Sequence, residues 1–294
     1  MRDDAMTGLA AGPAAHGFGV HGLVGHGMGG HGPVSYAPVR YGTSRLLFRG
    51  PRRPLDGRHV AFVGGTETFG RAVAEPFPML VERMLGETCV NLGQVNGSID
   101  IALGDAVIAQ ACRDAVLCVV KVMGAHNMSN RFYQVHPRRN DRVTRVSSVM
   151  QAIFPEVDFS EVCFTRHMLQ RLSETAPERF HILREELQAA WSARMRRFLE
   201  GLGAPAILLW LSPHLPSDAP WEERPDWLQR DPLFVTRRML DALRPIAQGV
   251  VMVQPAGEFE ATGPGAGLTP AGHRRTAEAL VGMIRTVLPA RSAA

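Results

Sequence analysis

Lysine is nearly missing from this chain. Lys121 is the only one in 294 residues, so almost every positive charge is a guanidinium. Cysteine is scarce as well. Cys89, Cys112, Cys118 and Cys163 show neither CxxC nor metal-type spacing, which argues against a disulfide framework or a cysteine-built zinc site and predicts reduced core thiols. No apolar run approaches the roughly 20 residues of a membrane span. The amino terminus carries Asp3 and Asp4 where a secretion signal wants basic residues, so a cytoplasmic address and no membrane partner are expected. What is present, 45% apolar and 20% charged residues with a net charge of +4, is enough for a large core without covalent or metal staples.

Residues 1–40 are dominated by Gly, His, Ala and Pro, and a five-residue period sets His16, His21, His26 and His31 each before a glycine. Such a composition buries too little apolar surface to offset chain entropy, so a disordered tail is expected. Four spaced imidazoles could hold a transition metal weakly. A flexible tail is the simpler reading, and neither a metal site nor a cofactor is expected. Residues 41–56 read as an arm that packs Leu46, Leu47 and Phe48 on the domain. The domain itself is expected at 57–288, followed by a flexible end at 289–294.

Within the domain, apolar runs alternate with helical patterns. Strands are expected at His59–Val63, Cys89–Leu92, Val116–Met123, Ala206–Leu211 and Gly249–Val253. Helical character runs over Thr68–Leu85, bent or split by Pro76 and Pro78, and over Ile99–Ala111, Glu178–Leu202, Leu233–Leu243 and Pro270–Val287, with Thr269 as N-cap of the last. This alternation predicts βαβ units, a five-stranded parallel sheet and a three-layer, flavodoxin-like α/β sandwich. An insertion at 126–177 is read as a partly helical cap. In such folds ligands meet the carboxyl ends of the strands, which here carry Gly65, Thr66 and Glu67, Gly93 and Asn96, His126 and Asn127, Ser212 and His214, and Glu258 with Glu260.

The turn Gly64-Gly65-Thr66-Glu67-Thr68-Phe69-Gly70 resembles the GDSxTxG block of the SGNH (GDSL-type) esterases and acyltransferases, with Thr66 in the place of the nucleophilic serine. Asn91-Leu92-Gly93 looks like the second block of that superfamily, whose glycine amide helps bind an oxyanion. Gly124-Ala125-His126-Asn127 looks like the third, with the asparagine one place late. Leu268–Leu280 is similar to the segment that follows the catalytic Asp-x-x-His, but the aspartate and histidine positions fall on Pro264 and Gly267, which cannot move a proton. The resemblance therefore implies the fold with a degenerate centre. His273 has the place of a structural histidine. Three readings stay open: Thr66 as nucleophile with His214 or His126 as base and Glu258 or Glu260 orienting it; other chemistry with Glu67 as acid or base; or binding alone. A longer match, GGTETFGR with PFP and MGAHNMSNRFYQVHPRRNDR, resembles a bacterial family of uncharacterised domains associated with surface-polysaccharide genes.

From His126 to Arg145, Arg131, Arg138, Arg139, Arg142 and Arg145 face one acid, Asp141. Guanidinium forks bind carboxylate, sulfate or phosphate at two points, so an anionic or acylated carbohydrate, or an activated phosphate-bearing donor, fits as partner; a solvated loop paired with acids elsewhere fits equally well. No nucleic-acid motif accompanies the patch. Lys121, at the end of an apolar strand, reads more readily as a lysine reaching solvent than as a site residue. A nicotinamide site is rejected, because Glu67 occupies the middle glycine of the dinucleotide turn, Asn91 replaces the ribose-binding acid, and no Tyr-x-x-x-Lys occurs. The expected protein thus hydrolyses, transfers or simply binds an acylated or anionic carbohydrate, with Thr66, Glu67, His126, His214 and Glu258 as candidate catalytic residues and Gly65, Gly93, Asn96, Asn127, Arg131, Arg138 and Arg139 as candidate binding residues.

Overall fold

A computed structural model describes residues 36–221, 224, 226–255, 257–260 and 267–288. The histidine-glycine segment up to residue 35 and the end from 289 onward lie outside the described residues. In chain order, β1 (Val60–Val63) leads to α1 (Thr66–Phe69) and α2 (Phe77–Leu85), then β2 (Cys89–Asn91), α3 (Ile99–Gly104), α4 (Ala106–Asp114) and β3 (Leu117–Lys121). The insertion supplies β4 (Tyr133–His136), β5 (Arg139–Val146), α5 (Ser148–Ile153) and α6 (Thr165–Thr175). After it come α7 (Pro177–Glu200), β6 (Ala206–Leu211), α8 (Arg237–Asp241), β7 (Gly249–Val253), the short pair β8 (Phe259–Glu260) and β9 (Gly267–Leu268), and α9 (Pro270–Val287).

Five strands form one all-parallel sheet in the order β2-β1-β3-β6-β7. Counted along the sheet's own strands this is the 2-1-3-4-5 order of the flavodoxin-like fold. β1, β2, β3 and β6 are buried on both faces, which is why β6 reads AILLWL and β3 reads LCVVK with no alternation, whereas the edge strand β7 leaves Met252 exposed. Val60 and Phe62 meet Phe77, Leu80 and Val81 of α2 and Leu280 and Ile284 of α9 on one face. Ala61 and Val63 face the opposite layer, where Ile108 and Cys112 of α4 pack with Leu187, Trp191 and Met195 of α7. The architecture is therefore three-layered α/β, as the alternation predicts.

Several boundaries differ from the sequence pattern, each for a local reason. The helix expected over 68–85 is two helices, because Pro76 is the N-cap of α2 with Pro78 in its first turn, and neither proline can continue α1. The helix expected at 99–111 is also divided, since the Asp105 side chain accepts the amides of Val107 and Ile108 and starts α4 afresh. Leu233–Leu243 is helical only at Arg237–Asp241; Leu233, Phe234 and Val235 are buried as an irregular segment. The insertion is part helical but opens with an unpredicted hairpin, β4 with β5. Of the cysteines, Cys89, Cys112 and Cys118 are buried and free while Cys163 is exposed. Among the described residues no helix is long and apolar enough to cross a membrane.

Candidate functional site

The chain leaves β1 toward β2 and returns to β3, so the carboxyl ends of β1 and β3 diverge and leave a crevice between their loops. Two glycines allow α1 to close its floor. A Cβ on Gly64 would lie 2.1 Å from Thr68 Oγ1 and 2.9 Å from Lys121 Cβ, and one on Gly93 would lie 2.5 Å from the Phe69 nitrogen. No larger residue fits either place without moving α1. The resulting cleft, about 450 Å³, is lined from β1 by Gly65, Thr66 and Glu67, from β2 by Asn96, from β3 by Lys121, His126 and Asn127, and from the insertion and later loops by Asp141, Phe164, Arg166 and Asp231.

Thr66 sits at its edge, half-buried. Its hydroxyl accepts the Asn96 amide at 2.9 Å and donates to Asn96 Oδ1 at 3.3 Å. Asn96 holds this arrangement with φ of +54°, a left-handed conformation that asparagine tolerates. Its amide nitrogen Nδ2 donates to Asp141 Oδ2 at 3.0 Å, and its carbonyl takes a long, 3.5 Å bond from Asn127 Nδ2. Asn127 Oδ1 in turn accepts from Thr165 at 2.6 Å. A continuous polar chain thus ties the β1 turn to the insertion.

Two ion pairs flank that chain. Lys121 Nζ lies 2.8 Å from Glu67 Oε2, with the lysine side chain 6% exposed. The solitary lysine therefore turns inward to the site, contrary to the expectation that it reaches solvent, because Glu67 in the first turn of α1 lies directly across the divergence. Arg166 pairs with Asp231 Oδ2 and also donates to the Leu228 carbonyl. Asp231 Oδ1 accepts the Leu233 amide at 3.2 Å. Packed closely by protein yet open to the cleft, with 47% of its side chain accessible, Asp231 feels opposing influences. Burial favours its neutral form, but Arg166, then His126 and Lys121, outweigh burial and hold the carboxyl below the usual aspartate range.

His126 is 4% exposed, and its Nδ1 is buried with no hydrogen-bond partner among the described residues. Burial first, and the Arg166 charge second, push its pKa down to about 3 against the pull of Asp231. At neutral pH the cleft therefore holds a neutral imidazole beside an ionised carboxylate.

Thr66, Glu67, Gly65, Asn96, Asn127 and His126 are thus brought together, while His214, Glu258, Gly93, Arg131, Arg138 and Arg139 are not; the Glu260 side chain lies outside the described residues. His214 lies outside the cleft: its Nδ1 is 3.1 Å from the Leu215 carbonyl and its ring packs edge-on against Trp210. Glu258 is held by Arg275 at 2.9 Å, outside the cleft. Gly93 does not present its amide, because that N–H donates to Asn91 Oδ1 at 3.0 Å while Asn91 Nδ2 donates to the Thr68 carbonyl. Arg131 pairs with Glu186 and covers Phe132. Arg138 and Arg139 border a neighbouring groove instead. His273 is buried in α9 and its Nδ1 accepts the Phe77 amide at 3.1 Å. Asp231 and Arg166 had no sequence signal, since loop residues far apart in the chain meet only through the fold. For Lys121 the signal was present, a lone cation ending an apolar strand.

Comparison with curated proteins gives no match. Among solved structures, the lipase Lip_vut3 from a goat rumen metagenome is similar over 80% of this chain and 99% of its own, at 12% identity and a TM-score of 0.37. A carbohydrate esterase family 2 enzyme with a carbohydrate-binding domain, from Corynascus thermopiles (Myceliophthora fergusii), is similar over 82% of this chain and 72% of its own, at 14% identity and the same TM-score of 0.37. Likenesses at that score carry no weight for activity, and the fold rests on the strand order itself. A family model matches residues 26–288, and the chain belongs to that family, the domain of unknown function DUF6473.

Proposed function

We propose that the cleft processes an acyl ester of a carbohydrate, by hydrolysis or O-acyl transfer, with the Thr66 hydroxyl in the place of the serine nucleophile of SGNH-type enzymes. The observation that carries this reading is the placement of that hydroxyl at the tip of β1, held by Asn96, in one cleft with the neutral His126 imidazole and the ionised Asp231. In this scheme Thr66 Oγ1 attacks the ester carbonyl and its proton passes to His126. The imidazolium is stabilised by Asp231, and the proton leaves with the departing alkoxide. Water or a second sugar hydroxyl then releases the acyl group by the reverse proton path.

A second reading, binding without turnover, is favoured by two observations. An imidazole held near 3 takes a proton at a cost of about 5 kcal/mol relative to one near 6.5. The Gly93 amide, moreover, is already engaged by Asn91 and does not serve an oxyanion.

Hydrolysis of 4-nitrophenyl acetate and of O-acetylated oligosaccharides separates the two readings. Turnover that disappears in Thr66→Ala and is kept or raised in Thr66→Ser, which sheds the crowding methyl group, supports acyl transfer. Equal background rates for wild type and Thr66→Ala remove it and leave binding.

A further inference from the structure

Beside the cleft lies a larger groove of about 910 Å³, and the two cavities share Asn96 and Asp141. Its walls carry Arg40 just before the arm and Arg45 within it, Arg71 from the segment after α1, and Arg138, Arg139 and Arg142 from the β4–β5 hairpin. All six are exposed. Among the described residues none of them forms an ion pair; Arg40 donates only to the Arg45 carbonyl, and Arg142 lies over Phe164. The one acid lining the groove, Asp141, accepts from Asn96. Six guanidinium groups therefore face one carboxylate in a single channel, drawn from three stretches of chain that are distant in sequence.

The walls are built to stay where they are. On the arm side, the buried Arg49 donates to the carbonyls of Gly70, Val73 and Ala74 at 2.7, 2.7 and 2.8 Å, and its guanidinium lies 5.1 Å from the centre of the Tyr36 ring. On the hairpin side, the buried Asn140 accepts from the Ser98 amide and hydroxyl at 2.9 and 2.8 Å and donates to the His136 carbonyl at 3.1 Å. Unpaired arginines on a fixed frame repel one another, and that arrangement is useful when an anion completes it.

We infer that this groove binds an acidic polysaccharide chain, one with carboxylate or sulfate groups repeated along it, and leads it to the cleft. A single exposed guanidinium–anion contact discriminates weakly, so six spread along a channel near the upper end of ordinary small-ligand volumes suit a ligand that offers several anions at once. Guanidinium forks match the two-oxygen geometry of carboxylate and sulfate. Single-stranded nucleic acid fits less well because it needs open aromatic faces to stack on, whereas Tyr36, Phe48 and Phe69 are 5%, 0% and 6% exposed. The inference rests on the acyl-ester reading for what happens in the cleft but not for binding.

The test is an equilibrium titration of the full chain, which needs no turnover and so fails or succeeds independently of Thr66. Fluorescently labelled oligogalacturonate, a heparin-derived oligosaccharide, neutral dextran of matched length and a single-stranded oligonucleotide serve as probes. One or both acidic glycans are expected to bind, more weakly as salt is raised, and to lose about tenfold in affinity in Arg138→Ala/Arg139→Ala/Arg142→Ala. A charge-matched control, Arg196→Ala/Arg274→Ala/Arg285→Ala, is expected to keep wild-type affinity. Equal losses in the two triple variants, no loss in the first, dextran bound as tightly as the acidic chains, or tighter binding of the oligonucleotide would each overturn the inference. Separation of carboxylate from sulfate chains assigns the anion within the same proposal.

Discussion

The cleft and the groove share a border at Asn96 and Asp141 but use charge in opposite ways. In the cleft each cation has its anion, Lys121 with Glu67 and Arg166 with Asp231. In the groove six arginines have no acid partner among the described residues. Charges committed to one another fix positions, because breaking either member leaves the other desolvated. Charges left open are available to a ligand and contribute little to folding. The same contrast divides single arginines: Arg49, 3% exposed, spends its donors on three backbone carbonyls, whereas the Arg138 guanidinium donates to none among the described residues.

The sharpest way to break this comparison is pH. His126 and His273 are both pushed down to about 3, His126 by burial and Arg166, His273 by burial and Arg49. The unfolded chain takes up these protons near 6.5, the native protein only near 3, so the unfolded state binds more protons throughout that window. Stability that is full above pH 6.5 is therefore lost progressively as pH falls toward 3. Between neutrality and pH 4 the two imidazoles together account for roughly 6 kcal/mol, read as a falling urea midpoint, and His273→Leu should remove one of the two contributions to the slope. Arginines do not titrate in this range, so the six guanidiniums of the groove keep their charge wherever the protein is still folded. A flat stability profile would mean that these imidazoles are not buried as described.

Next in size are the bonded cations. Arg49→Met strips three carbonyls of their donor and is expected to cost about 3–5 kcal/mol. Burial also lowers the Arg49 pKa to about 10, yet it remains charged at neutral pH. Glu67→Gln, which strands the Lys121 ammonium at 6% exposure, is expected to cost about 3 kcal/mol, and Glu67→Gln/Lys121→Met should recover most of that loss. Denaturant midpoints check both. A double variant as unstable as the single would mean that Lys121 is not held by Glu67.

How much of this was legible beforehand follows the same division between local and assembled features. The strands Ala206–Leu211 and Gly249–Val253 and the helix Pro270–Val287 are found at the boundaries the residues predict, because apolar runs and a Thr-Pro start act within a few positions. The β1 turn was equally plain from Gly64-Gly65 and Thr66. The hairpin at 133–146 was missed since its pattern mixes Arg with Val and Asn, and its register is set by Asn140 reaching Ser98 across the fold. Asp231 failed to stand out for the same reason: nothing around it distinguishes it until Arg166 and His126 arrive from elsewhere. His214 and Glu258 looked suitable only because they follow strands, yet Trp210 and Arg275 claim them. Position after a strand selects candidates, and the packing of the intervening loops decides among them.

The smallest effects lie within three consecutive residues of the hairpin. Arg138→Ala/Arg139→Ala removes two exposed side chains and should leave the urea midpoint unchanged. Asn140→Ala, one residue on, deprives the Ser98 amide and hydroxyl of their acceptor in a buried setting and is expected to cost about 2 kcal/mol. The two changes separate the groove's frame from its contents. If the arginine pair proved as costly as Asn140, those guanidiniums would be structural, the groove would lose its free charge, and the difference between the two regions would vanish. If both variants were silent in stability while glycan affinity fell in each, the hairpin would be held by its ligand rather than by Ser98, and the groove would be assembled on binding instead of waiting preformed.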